Sequence, residues 1–151
     1  APEVPVDRFP TLIRDNATTW EAVLTVSEAG VRPNPATWSP LEYACHVRDV
    51  HRIFDQRVGL MLDHDDPRFP NWNQDEAAIE DRYGEQDPAT VSAALLSAAE
   101  QVAERYESVP PAAWGRRGFR SDGSEFTVES LGRYHLHDVI HHVWDVRAVL
   151  A

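Results

Sequence analysis

The sequence predicts an all-α fold, a four-helix bundle. Three observations carry that prediction: four amphipathic segments of roughly 20 residues, cap signals at their heads, and no convincing alternating strand. The first segment, 7 to 29, opens at Asp7 with Pro10 in its first turn and closes at Gly30. Within it Phe9, Leu12, Ile13, Trp20, Val23 and Leu24 recur at helical spacing. The second, 40 to 62, starts at Ser39-Pro40-Leu41-Glu42, a capping box in which the Ser and Glu side chains satisfy each other's backbone N–H groups. The third runs from Asp87-Pro88 through an Ala-rich stretch to about 108, and the fourth from a Thr127 cap over 128 to 150. Two long connections modify the simplest bundle. Residues 63 to 87 are polar and turn-rich, with a short helix expected near 73 to 82, and VPPAAWGRRGFRSDGSEF carries a Ser-Asp-Gly turn signal and room for a short hairpin.

At 151 residues the chain fits one domain, 1–151, long enough to bury a real core. Fourteen Lys and Arg against 25 Asp and Glu leave a net charge of −11, the wrong sign for attraction to nucleic acid or anionic lipid. No apolar run approaches a membrane span and no signal peptide is evident, so no nucleic acid, no membrane and a cytoplasmic location are expected. A single cysteine, Cys45, excludes a disulfide framework and a Cys-rich zinc site; any metal must be held by His and carboxylates.

Four of the seven histidines lie in HLHDVIHHVWDV, residues 135–146. His137 and His141 are the only pair there at i,i+4, the spacing that lets two imidazoles on one helix face converge on an ion. At about 100° per residue, His135 and His142 point far around the wheel. The pair shares a strip with Ser130, Tyr134, Trp144 and Ala148 that contains no Lys or Glu and therefore reads as buried. On the second helix His46 shares a side with Tyr43, Val47, Val50, Ile53 and Phe54, facing the core; His51 and His64 read as solvated. Spacing alone serves two readings equally: three ligands with an open fourth position, or three hydrogen-bonded core histidines. A peptidase reading of HDVIH is weaker, because Asp138 is shorter than the Glu such a motif needs and turns away from the pair. Asp138 and Asp145 are expected to neutralise or orient His142.

The capped helix WSPLEYACHVRDVHRIF, the loop NWNQDEAA, the segment GRRGFRSDGSEFTVESLGRYHLHDVIHH and the final H-x-x-x-H resemble the DinB/YfiT-like metalloenzymes. The nearest branch is the actinobacterial one related to mycothiol-dependent maleylpyruvate isomerase. The resemblance covers almost the whole chain. It implies a four-helix bundle holding a divalent metal, zinc first and nickel second, through His46, His137 and His141. The isomerases carry Glu where His137 is placed, so this carry-over implies a neutral triad.

The resemblance further implies low-molecular-weight thiol chemistry, with mycothiol as the expected co-substrate. Three functions follow as expectations: a metal-dependent S-transferase acting on a small electrophile, a non-catalytic metal-stabilised module, and a thiol-dependent isomerase. The nucleophile would be a metal-activated thiol or water, and Cys45, projecting away from His46, is not it. Arg116 and Arg120 are candidates to clasp a carboxylate, Trp72 to roof the pocket, and Arg57, Tyr134 and Trp144 to line it. By analogy with the family a homodimer is expected, with the helix-one surface around Trp20 as its face.

Overall fold

The computed structural model describes residues 4–151; residues 1–3 of the predicted 1–151 domain lie outside the described residues. Four long helices form the bundle: α1 (Phe9–Val23), α2 (Pro40–Asp63), α4 (Pro88–Glu107) and α5 (Val128–Leu150), with a short α3 (Gln74–Glu80) in the connection after α2. Helices α1 and α2 each pack on both α4 and α5, giving the ring order α1-α4-α2-α5. No helix among the described residues is long and apolar enough to cross a membrane.

The cap residues start the helices as expected. Ser39 accepts from Glu42 N–H while Glu42 accepts from Ser39 N–H, completing the capping box, and Asp87 and Thr127 cap α4 and α5 through Thr90 and Ser130. Asn73 accepts from the backbone of Asp75 and Glu76 at the head of α3. The first helix is shorter than expected. It begins after a 3-10 turn, its N-cap is Arg8 without a side-chain bond, and it ends at Val23 rather than 29. Past Val23 the run Thr25-Val26-Ser27 is poor helix material: the Thr25 hydroxyl donates to the Ala22 carbonyl at 2.7 Å, offering the backbone a turn instead.

The fold is not strictly all-α. Three strands, β1 (Arg68–Phe69), β2 (Arg117–Arg120) and β3 (Glu125–Thr127), form a small sheet in the order β1-β2-β3. Strand β1 runs parallel to β2, with Phe69 opposite Arg120, and β2 and β3 form the hairpin whose turn places Gly123 at φ 92°. The sheet ties the two long connections together over one side of α2.

Helix α1 contributes Phe9, Ile13, Ala17 and Trp20 to the core, and α5 contributes Val128, Leu131, His135, Val139, Val143 and Val146. Gly132 allows close approach of these helices, since a Cβ there would lie 2.6 Å from the Phe9 ring. Trp20, expected at an exposed dimer face, is fully buried; its indole N–H donates to Asn16, whose amide donates in turn to the Val139 carbonyl. A large indole with a local hydrogen-bond partner packs at lower cost inside than out.

His51, expected to be solvated, and His135, which points away from the His137–His141 pair, are also fully buried. They form a chain in which Tyr106 Oη lies 2.8 Å from His135 Nδ1 and His135 Nε2 lies 2.9 Å from His51 Nδ1. Burial pushes His51 down to about 3 and His135 well below the ordinary range, the latter reinforced by its His51 neighbour. Both are therefore neutral in the native state, whereas the unfolded chain binds protons below its ordinary histidine pKa of about 6.5. Stability is then unaffected above that pH and falls as the pH drops from about 6.5 towards 3, by roughly 1.4 kcal/mol per pH unit for each histidine. Urea midpoints measured between pH 7 and 5 should show this loss, and the double variant His51→Gln, His135→Gln, whose amides do not titrate, should flatten it.

Candidate metal centre

On α2, His46, Val50, Phe54 and Arg57 follow one another at spacings of four, four and three and face a cavity of about 240 Å³. On α5, Tyr134 and Asp138 face the same cavity one turn apart, and His142 continues their line one turn further on. Asn71, Trp72 and Gln74 come from the connection after α2, and Arg120 and Asp122 from the β2–β3 hairpin. The parallel β1–β2 pairing brings those two connections together as the cavity's rim.

His46, Asp138 and His142 each offer one ligand atom, and the three atoms lie within 4.8 Å of one another. His46 Nε2 is 3.4 Å from Asp138 Oδ2, and His142 Nε2 is 3.5 Å from Asp138 Oδ1. Asp145 Oδ2 accepts from His142 Nδ1 at 3.0 Å, which holds the imidazole with Nε2 turned towards Asp138. The indole of Trp72 stacks on His46 at 5.4 Å with an interplanar angle of 9°, and Trp38 packs beside it at 5.5 Å.

Electrostatics favour an ionised carboxylate here. Burial works against the Asp138 charge, but contacts with His142 and His46 outweigh it and hold the carboxyl below its usual range. Burial alone would lower His142, yet Asp138 and Asp145 on either side raise it. His46 Nδ1, His46 Nε2 and Asp138 Oδ2 are buried without a hydrogen-bond partner among the described residues. Buried polar atoms are almost always paired, so orphaned donor atoms converging from two helices fit a divalent ion: two imidazoles and one carboxylate are a familiar donor set for zinc.

The structure does not bring the expected ligands together. His46 is in place, but His137 and His141 lie on the outer face of α5, exposed, their rings stacked 6.1 Å apart. The correction is one of helical phase. A strip lacking Lys and Glu was read as buried, whereas the stripe Val139, Val143, Val146 is what packs, and rotating it inward carries Asp138 and His142 towards His46. Trp144, on the discarded strip, is 71% exposed and away from the cavity. Arg57, Trp72, Arg120 and Tyr134 do line it. Arg116 does not: its guanidinium donates to the Met61 and His64 carbonyls and pairs with Asp65, closing the C-terminal end of α2. The expectation that Asp145 orients His142 matches the observed bond. Asp138 and His142 were findable as an i,i+4 Asp/His pair beside the apolar stripe, with Asp145 three residues further on.

A family model for the DinB superfamily matches residues 11–146. The chain belongs to the DinB superfamily. A search of curated protein sequences gave no match. Among solved structures, this DinB chain is similar to YfiT from Bacillus subtilis, described as a probable metal-dependent hydrolase with an unusual four-helix-bundle topology. The TM-score is 0.81 at 16% identity, over 97% of this chain and 90% of YfiT. It is also similar to the mycothiol-dependent maleylpyruvate isomerase, with a TM-score of 0.74 at 14% identity over 95% of this chain. A form of that isomerase with one histidine replaced by alanine gives 0.73 at 13%. This chain spans 61% of the isomerase's length. At these identities the likeness is one of fold.

Zinc content after loading and desalting should drop sharply in His46→Ala, Asp138→Ala and His142→Ala but stay at the wild-type level in His137→Ala and His141→Ala. Elemental analysis of the five variants reads this directly, and the opposite pattern would restore the outward-facing pair as ligands.

Proposed function

We propose that this single-domain DinB-superfamily chain is a metal-dependent thiol S-transferase, joining a low-molecular-weight thiol such as mycothiol to a small electrophile. The observation that carries the reading is the set of unsatisfied donor atoms on His46 and Asp138, with His142 oriented by Asp145, opening onto a cavity. His46, Asp138 and His142 would hold the ion, zinc by preference from the nitrogen and oxygen donors. A divalent metal in that set supplies Lewis acidity, lowering the pKa of a thiol or water that enters the remaining position.

The chain's own residues do the rest. Asp145 holds one tautomer of His142, and Trp72 and Trp38 keep bulk solvent from His46, so charge near the site is weakly screened. Cys45 takes no part as a nucleophile: burial pushes its thiol up to about 12, and its Sγ lies against the Tyr83 carbonyl. Cys45 being the chain's single cysteine, the thiol of this reading arrives as a substrate. At about 240 Å³ the cavity lies below the usual 300–1,000 Å³ of drug-sized sites, so only the sulfur-bearing end of a mycothiol-sized molecule enters, beside a small partner.

A second reading, thiol-dependent isomerisation, is favoured by one observation. The donor set contains Asp138 rather than three neutral histidines, matching the one-carboxylate pattern that the resemblance to the isomerases implies. Both readings require the thiol at the metal. Cobalt-substituted protein titrated with mycothiol should develop a sulfur-to-metal charge-transfer band in the near ultraviolet, lost in His46→Ala. Cobalt bound at full occupancy with no band for any small thiol would sink both readings and leave water, the hydrolytic choice, as the nucleophile. Chelation should abolish turnover while leaving most of the melting temperature, because a bundle with this core does not depend on the ion to fold; steep loss of melting temperature would mark a structural metal instead.

A further inference from the structure

Two arginines among the described residues are buried, Arg48 and Arg57. Arg48 is matched: its guanidinium meets Asp49 at 3.0 Å and Gln86 at 2.7 Å. Arg57 is 8% exposed, and the one hydrogen bond it makes is from Nη2 to the Pro70 carbonyl at 2.9 Å. No carboxylate pairs with it among the described residues, and Arg120, its cationic neighbour on the cavity wall, is already neutralised by Asp122 at 2.9 Å. Burial, then Arg120, pull the Arg57 pKa down, and the opposing pull of Tyr134 and Asp122 does not make up for them. A guanidinium does not escape by deprotonating, and an unpaired buried charge is costly to fold around. Its orientation is nonetheless held: the Phe69 ring lies 4.7 Å and the Phe54 ring 5.8 Å from the guanidinium carbon, and the Pro70 bond ties one edge.

We propose that the cavity takes a small ligand bearing a carboxylate, which pairs with Arg57 while the ligand's other end faces His46 and Asp138. The proposal rests on the cavity's being a substrate site and assigns the chemical class of the electrophile. A planar carboxylate suits a guanidinium fork in a tight space, whereas the carboxylates of Asp122 and Asp138 on the same wall oppose the concentrated double charge of a phosphate dianion. In a chain of net charge −11, one unmatched cation also selects an anion against the overall field. Charge is thus recognised at the Arg57 end and chemistry occurs at the His46 end of one pocket.

The test needs neither metal nor turnover. Chelator-treated protein is titrated with succinate, propionate, their amides and inorganic phosphate, following tryptophan fluorescence, to which Trp72 on the cavity wall contributes, and melting temperature. The acids should bind and raise the melting temperature, the amides should not, and Arg57→Gln should weaken succinate at least tenfold. Arg57→Lys, which keeps the charge and loses the fork, should bind severalfold more weakly yet still prefer acid to amide, and it serves if the Gln variant fails to fold. Amides binding as well as acids, phosphate binding more tightly than succinate, or succinate affinity unchanged in a folded Arg57→Gln would overturn the proposal. Because the titrated protein is metal-free and no thiol is present, failure of the thiol reading leaves this result legible by itself.

Discussion

The rotation of α5 against α2 is the constraint on which the site depends. The valines at 139, 143 and 146 set that rotation by burying themselves against the other helices. Once they are inside, geometry at 3.6 residues per turn leaves no choice: Tyr134, Asp138 and His142 form a line beside the stripe facing His46, and His137 and His141 turn outward. The hydrophobic term wins because each valine gains about 1.5 to 3 kcal/mol on burial, whereas nothing is gained by burying an imidazole that finds no partner.

The bundle carries two polar systems of different character between α2 and α5. The chain Tyr106-His135-His51 is hydrogen-bonded at each link, runs through the core and ends at His51 Nε2, which has no partner among the described residues; its histidines are neutral and belong to the packing. The group His46, Asp138 and His142 sits at the edge of the cavity, with donor atoms that the protein itself does not satisfy. Hydrogen-bonded links rigidify a core, while unsatisfied atoms from two helices that converge at a cavity fit a site that something else completes. Arg57 at the far end of the same cavity repeats that pattern with a charge in place of lone pairs.

The sheet, although small, shapes that cavity. Without the Phe69–Arg120 register the connection bearing Trp72 and the hairpin bearing Arg120 would each be a surface loop over α2. Joined, they bring an indole onto His46 and a neutralised arginine beside Arg57, which turns a groove between helices into a walled pocket.

Local chemistry was enough for most of the fold. Ser39, Asp87 and Thr127 announced three helix starts because a cap satisfies backbone groups within three residues, and the Ser-Asp-Gly turn announced the hairpin for the same reason. His46 was legible because its helix has one strongly apolar side. The face of the second helix that carries His46 and Arg57 was therefore legible in sequence, whereas which loop and hairpin side chains join them on the cavity wall was not. The α5 residues that face His46 were not legible either, because that helix offers two low-charge strips and i,i+4 pairs on both, and only contact with α1 and α2 decides which strip is inside. Tertiary packing likewise buried His51 and His135, which bond each other and Tyr106 across long stretches of chain, and Trp20, whose local partner Asn16 donates in turn to the distant Val139 carbonyl. Arg116 and Arg120 are four residues apart and alike in sequence, yet one closes a helix end and the other rims the cavity. A side chain's type and spacing set which bonds it can make; which it does make depends on neighbours that only the folded chain supplies.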